Sequence, residues 1–195
     1  MTGPRFKPLS PDEMTSEQKR VAQAIAAGPR GGVRGPFPAL LRSPALADRV
    51  RQLGDYVRFE SSLSPPLREL AILVVARFWS AQYEWHAHRQ HAVKAGIDPG
   101  VPEAIARGER PRLSSDETLV YDLCTELLYD RDVSDKTFAA AVKRFGETTV
   151  LDLVALASYY SFVSLILNAN RTPIPEGATP LSPLRSLSPK GRGSG

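Results

Sequence analysis

The feature that most constrains the fold is the stretch of residues 67–96, LRELAILVVARFWSAQYEWHAHRQHAVKAG. Its first half, Leu70–Trp79, is apolar at every position except Arg77. An apolar segment of this length predicts a helix that other parts of the protein cover on most sides. The second half contains all 3 histidines of the chain. Because histidine titrates near neutral pH, any acid–base chemistry is expected in this stretch.

The residues that flank these two halves predict two consecutive helices. Ser64 and Pro65 suit the start of the first helix, since serine can cap it and the missing N–H of proline would be unpaired there. Ser80 offers a cap for a second helix from about Ala81 to Lys94. Gly96 can adopt the left-handed conformation that ends such a helix.

A carboxylate and an imidazole are predicted to face each other on the second helix. At helical spacing Glu84, His88 and His91 share one side, and Glu84 lies in the first turn, where the helix dipole favours a negative charge. Glu84 therefore suits a general base or an acceptor that orients His88, and His88 suits a proton shuttle. The alternative is an ordinary surface pair that contributes about 0.3 kcal/mol to the helix and whose loss changes stability little.

Glu69 is the third candidate, because it shares a face with the apolar residues of the first helix. A carboxylate there must find a hydrogen-bond partner or keep its proton, and in the second case it could act as a general acid. Arg77 could bind a substrate carboxylate, or it could pair with Glu69 or Asp55. Tyr83 and Trp85 are expected either to pack in the core or to form the wall of a small pocket.

A metal site is the less favoured interpretation of the histidines. His86 points away from His88 and His91 on a helix. Glu84, His88 and His91 could supply three ligands, but the sequence offers no evident fourth. We therefore predict no metal.

The order of Glu69, an apolar helix and AQYEWHAH resembles the carboxymuconolactone decarboxylase family, whose superfamily also contains the alkylhydroperoxidase D proteins. In the peroxidase branch a glutamate precedes a Cys-x-x-Cys-x-x-x-His motif. Laid on this chain, the two thiol positions fall on Ala81 and Glu84, and the histidine falls on His88. Both cysteines are absent, and Tyr-Glu-Trp at 83–85 resembles the non-thiol branch. The flanking segments agree, so the resemblance covers about residues 9–182.

This resemblance implies an all-α, alkylhydroperoxidase D-like fold of seven or eight helices and a homo-oligomer, a trimer or a hexamer. It also implies a lyase of aromatic catabolism, which releases carbon dioxide from a small carboxylated lactone without a cofactor. Glu69, Glu84 and His88 would be catalytic, and the substrate-binding residues would be Arg77, Tyr83, Trp85 and His91.

Two other functions are considered. An antioxidant protein like alkylhydroperoxidase D would need two thiols, whereas the single cysteine, Cys124, is predicted to be a core residue of an apolar helix. A non-catalytic oligomeric binding protein would be favoured if Glu69, Glu84 and His88 faced bulk solvent.

The composition fits one soluble domain, because 195 residues with 42% hydrophobic content can bury a single core. We predict an arm at residues 1–9, a helical domain at 10–182 and a disordered basic tail at 183–195. The formal charge of +4 comes from the two ends, so nucleic-acid binding is not expected. No apolar run approaches the roughly 20 residues that span a bilayer. With one cysteine and no apolar signal segment, a cytoplasmic location is expected.

Two further segments stand out. Residues 28–38, GPRGGVRGPFP, predict a loop that is either a linker or the lid of a pocket. Residues 148–168 predict a final helix that is apolar on more than one face, so it should be buried in the domain or in a subunit contact.

Overall fold

The computed structural model describes residues 3–182, and within them it contains nine α-helices and no strand. The predicted all-α fold is therefore confirmed. The predicted tail at 183–195 lies outside the described residues. The helices are α1 (Ser16–Ala27), α2 (Phe37–Leu40), α3 (Pro44–Asp55), α4 (Pro65–Phe78), α5 (Gln82–Lys94), α6 (Gly100–Arg107), α7 (Ser115–Thr125), α8 (Asp135–Phe145) and α9 (Glu147–Asn170).

The helix count exceeds the predicted seven or eight because of α2, a single turn that begins inside the predicted loop of residues 28–38. Two helices, α3 and α7, continue into π-helical turns, which the pattern of apolar residues does not predict. Five π-helical residues, Tyr56–Glu60, continue α3, and another five, Glu126–Asp130, continue α7. Short π-helical segments occur frequently at functional sites, and the first of these carries Arg58 into the site described below.

Two helices begin with complete capping boxes, whereas the side-chain caps predicted at Ser64 and Ser80 are absent. Thr15 and Ser114 form complete capping boxes with Gln18 and Glu117, which satisfies backbone donors at the starts of α1 and α7. In contrast, Ser64 makes no capping hydrogen bond. The predicted cap at Ser80 is also wrong, because Ser80 takes a left-handed conformation with a φ of 49° and α5 begins after Ala81.

Helix α4 forms the centre of the protein. Its residues Leu70–Arg77 are all buried, and the helix packs against α5, α7 and α9. Each fully buried aliphatic side chain in such a core contributes about 1.5–3 kcal/mol. This arrangement explains why the segment is apolar around its whole circumference, and it places Glu69 between α5 and α9 instead of at the surface.

Helix α9 has 24 residues and is long and apolar enough to cross a bilayer by length and composition alone. However, 56% of its most apolar window is buried inside the domain, and Leu153, Leu156 and Leu167 belong to the core. Its apolar character is therefore that of a core helix. Its C-terminal Asn170 also holds the N-terminal arm, since the Phe6 amide donates to Asn170 Oδ1 at 2.7 Å.

Candidate active site

Three ionisable side chains form a buried triad between α4 and α5: Glu69, Glu84 and His88. His88 Nδ1 lies 2.6 Å from Glu69 Oε2, and His88 Nε2 lies 3.0 Å from Glu84 Oε1. The three side chains are only 5–6% exposed. The predicted facing of Glu84 and His88 is therefore present, but the alternative of an ordinary surface pair is wrong. Because the pair is buried, substitution there should cost more stability than the small change predicted from the sequence.

His88 is held in its protonated form by the two carboxylates. Burial by itself would lower the pKa of His88, but the hydrogen bonds to Glu69 and Glu84 and their negative charges outweigh it and raise the pKa. An imidazolium donates from both ring nitrogens, whereas a neutral imidazole has one donor and one acceptor. Only the charged form can therefore donate to both carboxylates at once.

Glu69 is held ionised in the same cluster. Burial raises its pKa, but the hydrogen bond from His88 and the charges of His88, Arg58 and Arg68 together bring the pKa below the ordinary value. Arg68 Nε lies 3.5 Å from Glu69 Oε1. Glu69 thus has the partner that its apolar face required, and a protonated Glu69 acting as general acid is not supported.

The corner between α4 and α5 sets the position of Glu84. The left-handed conformation of Ser80 turns the chain, and the Ala81 amide donates back to the Ala76 carbonyl at 2.9 Å. Ala81 is fully buried, so the first turn of α5 lies in the interior. On the other side, the Tyr160 ring from α9 meets the His88 ring edge to face at a centroid distance of 5.1 Å.

The triad lines a cavity of about 450 Å³, which we call the triad cavity. Of the predicted substrate-binding residues, Tyr83 and His91 line it. Burial and the nearby charge of His88 lower the pKa of His91, which favours its neutral form. Seven of the residues 29–37 in the glycine-rich segment line the cavity. The segment therefore belongs to a pocket, as the prediction of a lid requires, and is not a free linker.

Four arginines of the triad cavity give it a positive character: Arg30, Arg34, Arg58 and Arg68. Arg30 is neutralised by Asp55, with Nε 2.9 Å from Oδ1. Among residues 3–182, Arg34 and Arg58 form no salt bridge with any acidic side chain. Arginine binds planar anions through paired donors, so the cavity is suited to a carboxylate.

Sequence analysis identified some of these residues and missed others. Arg30 and Arg34 stand out in the sequence as cations among the glycines of residues 28–38. Arg68 was not predicted, although it directly precedes Glu69. No sequence pattern pointed to Arg58, because the direction of its side chain depends on the π-helical turn Tyr56–Glu60. No sequence pattern distinguished Tyr159 and Tyr160 either, because they are two of many apolar residues in the last helix.

Arg77 and Trp85 are not brought to the triad. They line a second cavity of about 850 Å³, which we call the Arg77 cavity and which shares no lining residue with the first. Arg77 pairs with neither of its expected partners. Glu69 bonds to His88, and Asp55 pairs with Arg30 and Arg51. Arg77 Nη1 instead donates to the Ser182 carbonyl at 2.9 Å.

Metal binding finds no support in the part of the chain that is described. No group of three His, Cys, Asp or Glu side chains between residues 3 and 182 could hold a metal ion. Both ring nitrogens of His88 are occupied by carboxylates, and His86 does not line the triad cavity.

Comparison with known proteins agrees with the resemblance seen in the sequence. Residues 44–112 match the model of the Carboxymuconolactone decarboxylase family. This segment runs from α3 through α6 and includes the whole triad. No curated protein matches the chain significantly.

Solved structures share the fold at low sequence identity. One is described as the alkylhydroperoxidase AhpD core, an uncharacterized peroxidase-related protein from Ralstonia eutropha JMP134, with a TM-score of 0.74, 13% identity and coverage of 89% of this chain and 93% of that chain. An uncharacterized peroxidase-related protein from Silicibacter sp. TM1040 gives 0.70 and 15%, covering 88% and 91%. A variant of the debrominase Bmp8, in complex with 2,3,4-tribromopyrrole, gives 0.68 and 11%, covering 88% and 92%. At such identities the likeness shows the fold alone.

Proposed function

From the match of residues 44–112 to the carboxymuconolactone decarboxylase family, we propose that the protein is an acid–base enzyme acting on a small carboxylated molecule. The proposed reaction is decarboxylation of a carboxylated lactone or a related intermediate of aromatic catabolism, without a cofactor. The observation that carries the proposal is a buried histidine clamped between two carboxylates at the wall of a cavity rich in arginine.

Substrate binding follows from the charges of the triad cavity. Arg34 is exposed and Arg58 is half-buried, and neither forms an ion pair within residues 3–182. A substrate carboxylate can accept hydrogen bonds from one or both of them. The volume of about 450 Å³ suits a small ligand, since ligand pockets commonly measure about 300–1,000 Å³.

Glu84 is the group best placed to exchange a proton with the substrate. Its Oε1 faces His88 Nε2, while its Oε2 is buried and has no hydrogen-bond partner among the described residues. His88 is 4% exposed and has a carboxylate at each nitrogen, so it acts through Glu84. Glu69 is a positioning residue that holds the imidazolium from the other side.

We propose that decarboxylation comes first and that proton transfer follows. The bond between the substrate skeleton and its carboxylate breaks, carbon dioxide leaves, and the electron pair stays on the carbon skeleton. His88 Nε2 passes its proton to the Glu84 carboxylate, and the protonated Glu84 delivers that same proton to the carbon. The imidazole then takes up a proton from the solvent, so the net reaction consumes one proton and releases one carbon dioxide. A positioned acid of this kind contributes about 100-fold to 10,000-fold to such a step.

A thiol peroxidase is less well supported, although two of the structural neighbours are described as peroxidase-related. The thiol positions of that branch are occupied by Ala81 and Glu84. Cys124 is fully buried and does not line the triad cavity. Burial raises the pKa of its thiol to about 12, so almost no reactive thiolate exists near neutral pH. The function of a non-catalytic binding protein is also less well supported, because the triad is buried and does not face bulk solvent.

The test is turnover of 4-carboxymuconolactone by the purified protein, followed as carbon dioxide release. Glu84→Gln keeps the shape but removes the proton-carrying group, so the rate should fall by about 100-fold or more. His88→Gln should cost a similar factor, and the double variant should cost far less than the product, because the residues act as one unit.

His86→Gln serves as the matched control, because His86 lies on the same helix but outside the triad cavity; its rate should be unchanged. Absence of turnover by the wild type would remove this lactone as the substrate. Unchanged rates in Glu84→Gln and His88→Gln would return both residues to a structural role.

We further propose that the protein is a cytoplasmic homo-oligomer, a trimer or a hexamer. In support, Leu151 and Leu165 on α9 are 69% and 47% exposed although the rest of that helix is largely core. Large apolar side chains on one exposed face are typical of association surfaces.

A further inference from the structure

The Arg77 cavity contains a buried cation without a counter-charge. Arg77 is only 4% exposed, yet it forms no salt bridge with any residue from 3 to 182. A buried charge without a partner is costly, and this desolvation lowers the pKa of Arg77. A charge retained at such a cost calls for a ligand that compensates it.

The guanidinium of Arg77 retains most of its hydrogen-bonding capacity. Its Nη1 donates to the Ser182 carbonyl at 2.9 Å, but Nε and Nη2 are buried and have no acceptor within the described part of the chain. Nε and Nη2 form one side of the planar fork, which matches the two oxygens of a carboxylate. The unused donors therefore fit a planar anion better than a single neutral acceptor.

The walls of the cavity indicate what the anion would be attached to. Aliphatic and aromatic side chains form much of the lining: Val74, Trp85, Ile105, Tyr121 and Tyr129. Four other charged residues also line the cavity, and they neutralise one another in two ion pairs, Arg89–Glu103 and Arg107–Glu109. Aromatic rings pack favourably against another ring in stacked or edge-to-face contacts. The volume of about 850 Å³ admits an aromatic ring with its substituents.

The last described residues, Thr179–Ser182, form one side of this cavity, and we call them the strap. Three hydrogen bonds hold the strap. The Gln82 side chain donates to the Leu181 carbonyl at 2.9 Å and accepts from the Leu181 amide at 2.7 Å, and the third comes from Arg77. A carboxylate that accepts from Nε and Nη2 would leave the hydrogen bond from Nη1 to the Ser182 carbonyl, and therefore the strap, in place.

We propose that the Arg77 cavity is a second binding site, separate from the triad cavity, which takes an aromatic carboxylate on Arg77 with its ring against Trp85. The site does not depend on the reaction proposed above, because the two cavities share no lining residue.

The experiment uses Trp85 as the reporter and benzoate as the probe. The chain has 2 tryptophans, so Trp79→Phe leaves Trp85 as the sole indole. Benzoate should change Trp85 fluorescence saturably in the millimolar range, whereas neutral benzamide should bind at least about tenfold more weakly, because a charge-assisted bond is lost. No saturable change with benzoate, or equal binding of benzamide, would overturn the proposal.

Variants then assign the response to Arg77. In the Trp79→Phe background, Arg77→Met should weaken benzoate binding at least about tenfold, while Arg34→Met, in the triad cavity, should leave it unchanged. Loss in Arg34→Met with retention in Arg77→Met would place benzoate in the triad cavity and refute the second site. If Arg77→Met does not fold, Arg77→Lys replaces it, since it keeps the charge but loses the fork; undiminished binding there would equally refute bidentate recognition.

Discussion

Replacing Glu69 by glutamine tests whether the triad is a charged cluster. The amide keeps the shape of the carboxylate and can still accept a hydrogen bond from His88 Nδ1, which lies 2.6 Å from Glu69 Oε2. What it removes is the negative charge beside a buried imidazolium. Any change in unfolding free energy therefore reports the electrostatic part of this contact and not a loss of packing.

The magnitude follows from the burial of the pair. Removing one partner of a buried ion pair commonly costs about 3–5 kcal/mol, but here His88 keeps Glu84 at 3.0 Å and the amide still accepts a hydrogen bond. The loss is thus that of a charge-assisted hydrogen bond replaced by a neutral one, about 2 kcal/mol.

The pKa shifts of His88 and Glu69 determine how the stability loss in Glu69→Gln varies with pH. The raised pKa of His88 means that its stabilisation is fully present below the ordinary value of 6.5 and is lost as pH rises through the folded pKa. The lowered pKa of Glu69 means that its stabilisation is present above the ordinary value of 4.5 and is lost as pH falls through the folded pKa. The effect of Glu69→Gln should therefore be largest between these two values and smaller in alkaline solution.

The assay is urea unfolding followed by circular dichroism at about pH 5.5 and about pH 9. The control is Glu103→Gln, which removes the exposed salt bridge with Arg89, where the Glu103 side chain is 49% exposed; its stability should not change measurably. Two results would refute a charged triad. One is an unfolding free energy of Glu69→Gln equal to that of the wild type, and the other is a loss of unfolding free energy that is the same at both pH values.

Three further predictions follow from particular contacts. A methyl group at Gly54 would overlap the Tyr159 hydroxyl and the Arg30 guanidinium, so Gly54→Ala should cost about 1–3 kcal/mol in thermal unfolding; an unchanged melting temperature would show that these side chains move freely. Cys124→Ser should keep any turnover but lose about 1–3 kcal/mol of stability, because it buries a hydroxyl among apolar residues; loss of turnover at retained stability would reveal a role for the thiol. Light scattering at micromolar concentration should give the mass of a trimer or hexamer, and Leu151→Glu should reduce it; a monomeric wild type would contradict the proposed assembly.

Local patterns were sufficient to predict the helices and their approximate ends. The apolar run of residues 70–79 indicated a covered helix, and that helix is the central α4. Residues 15–18, Thr-Ser-Glu-Gln, and 114–117, Ser-Ser-Asp-Glu, have the capping-box pattern, and they start α1 and α7. These predictions succeed because helix periodicity and capping depend on residues only three or four positions apart. Ser80 failed as a cap because the interior position of Ala81, a tertiary effect, sets the corner between α4 and α5.

The sequence by itself also determined which residues are chemically capable, and only the tertiary structure decided which of them meet. Spacing along α5 placed Glu84 beside His88, but the separation of 19 residues between Glu69 and His88 made their contact a question of how α4 packs on α5. Likewise, sequence could not separate Arg77 and Trp85 from the triad, although each is a near neighbour in the chain. Adjacent residues on a helix point about 100° apart, so Glu84 and Trp85 face different cavities. The division of their roles depends on which helices pack against each face.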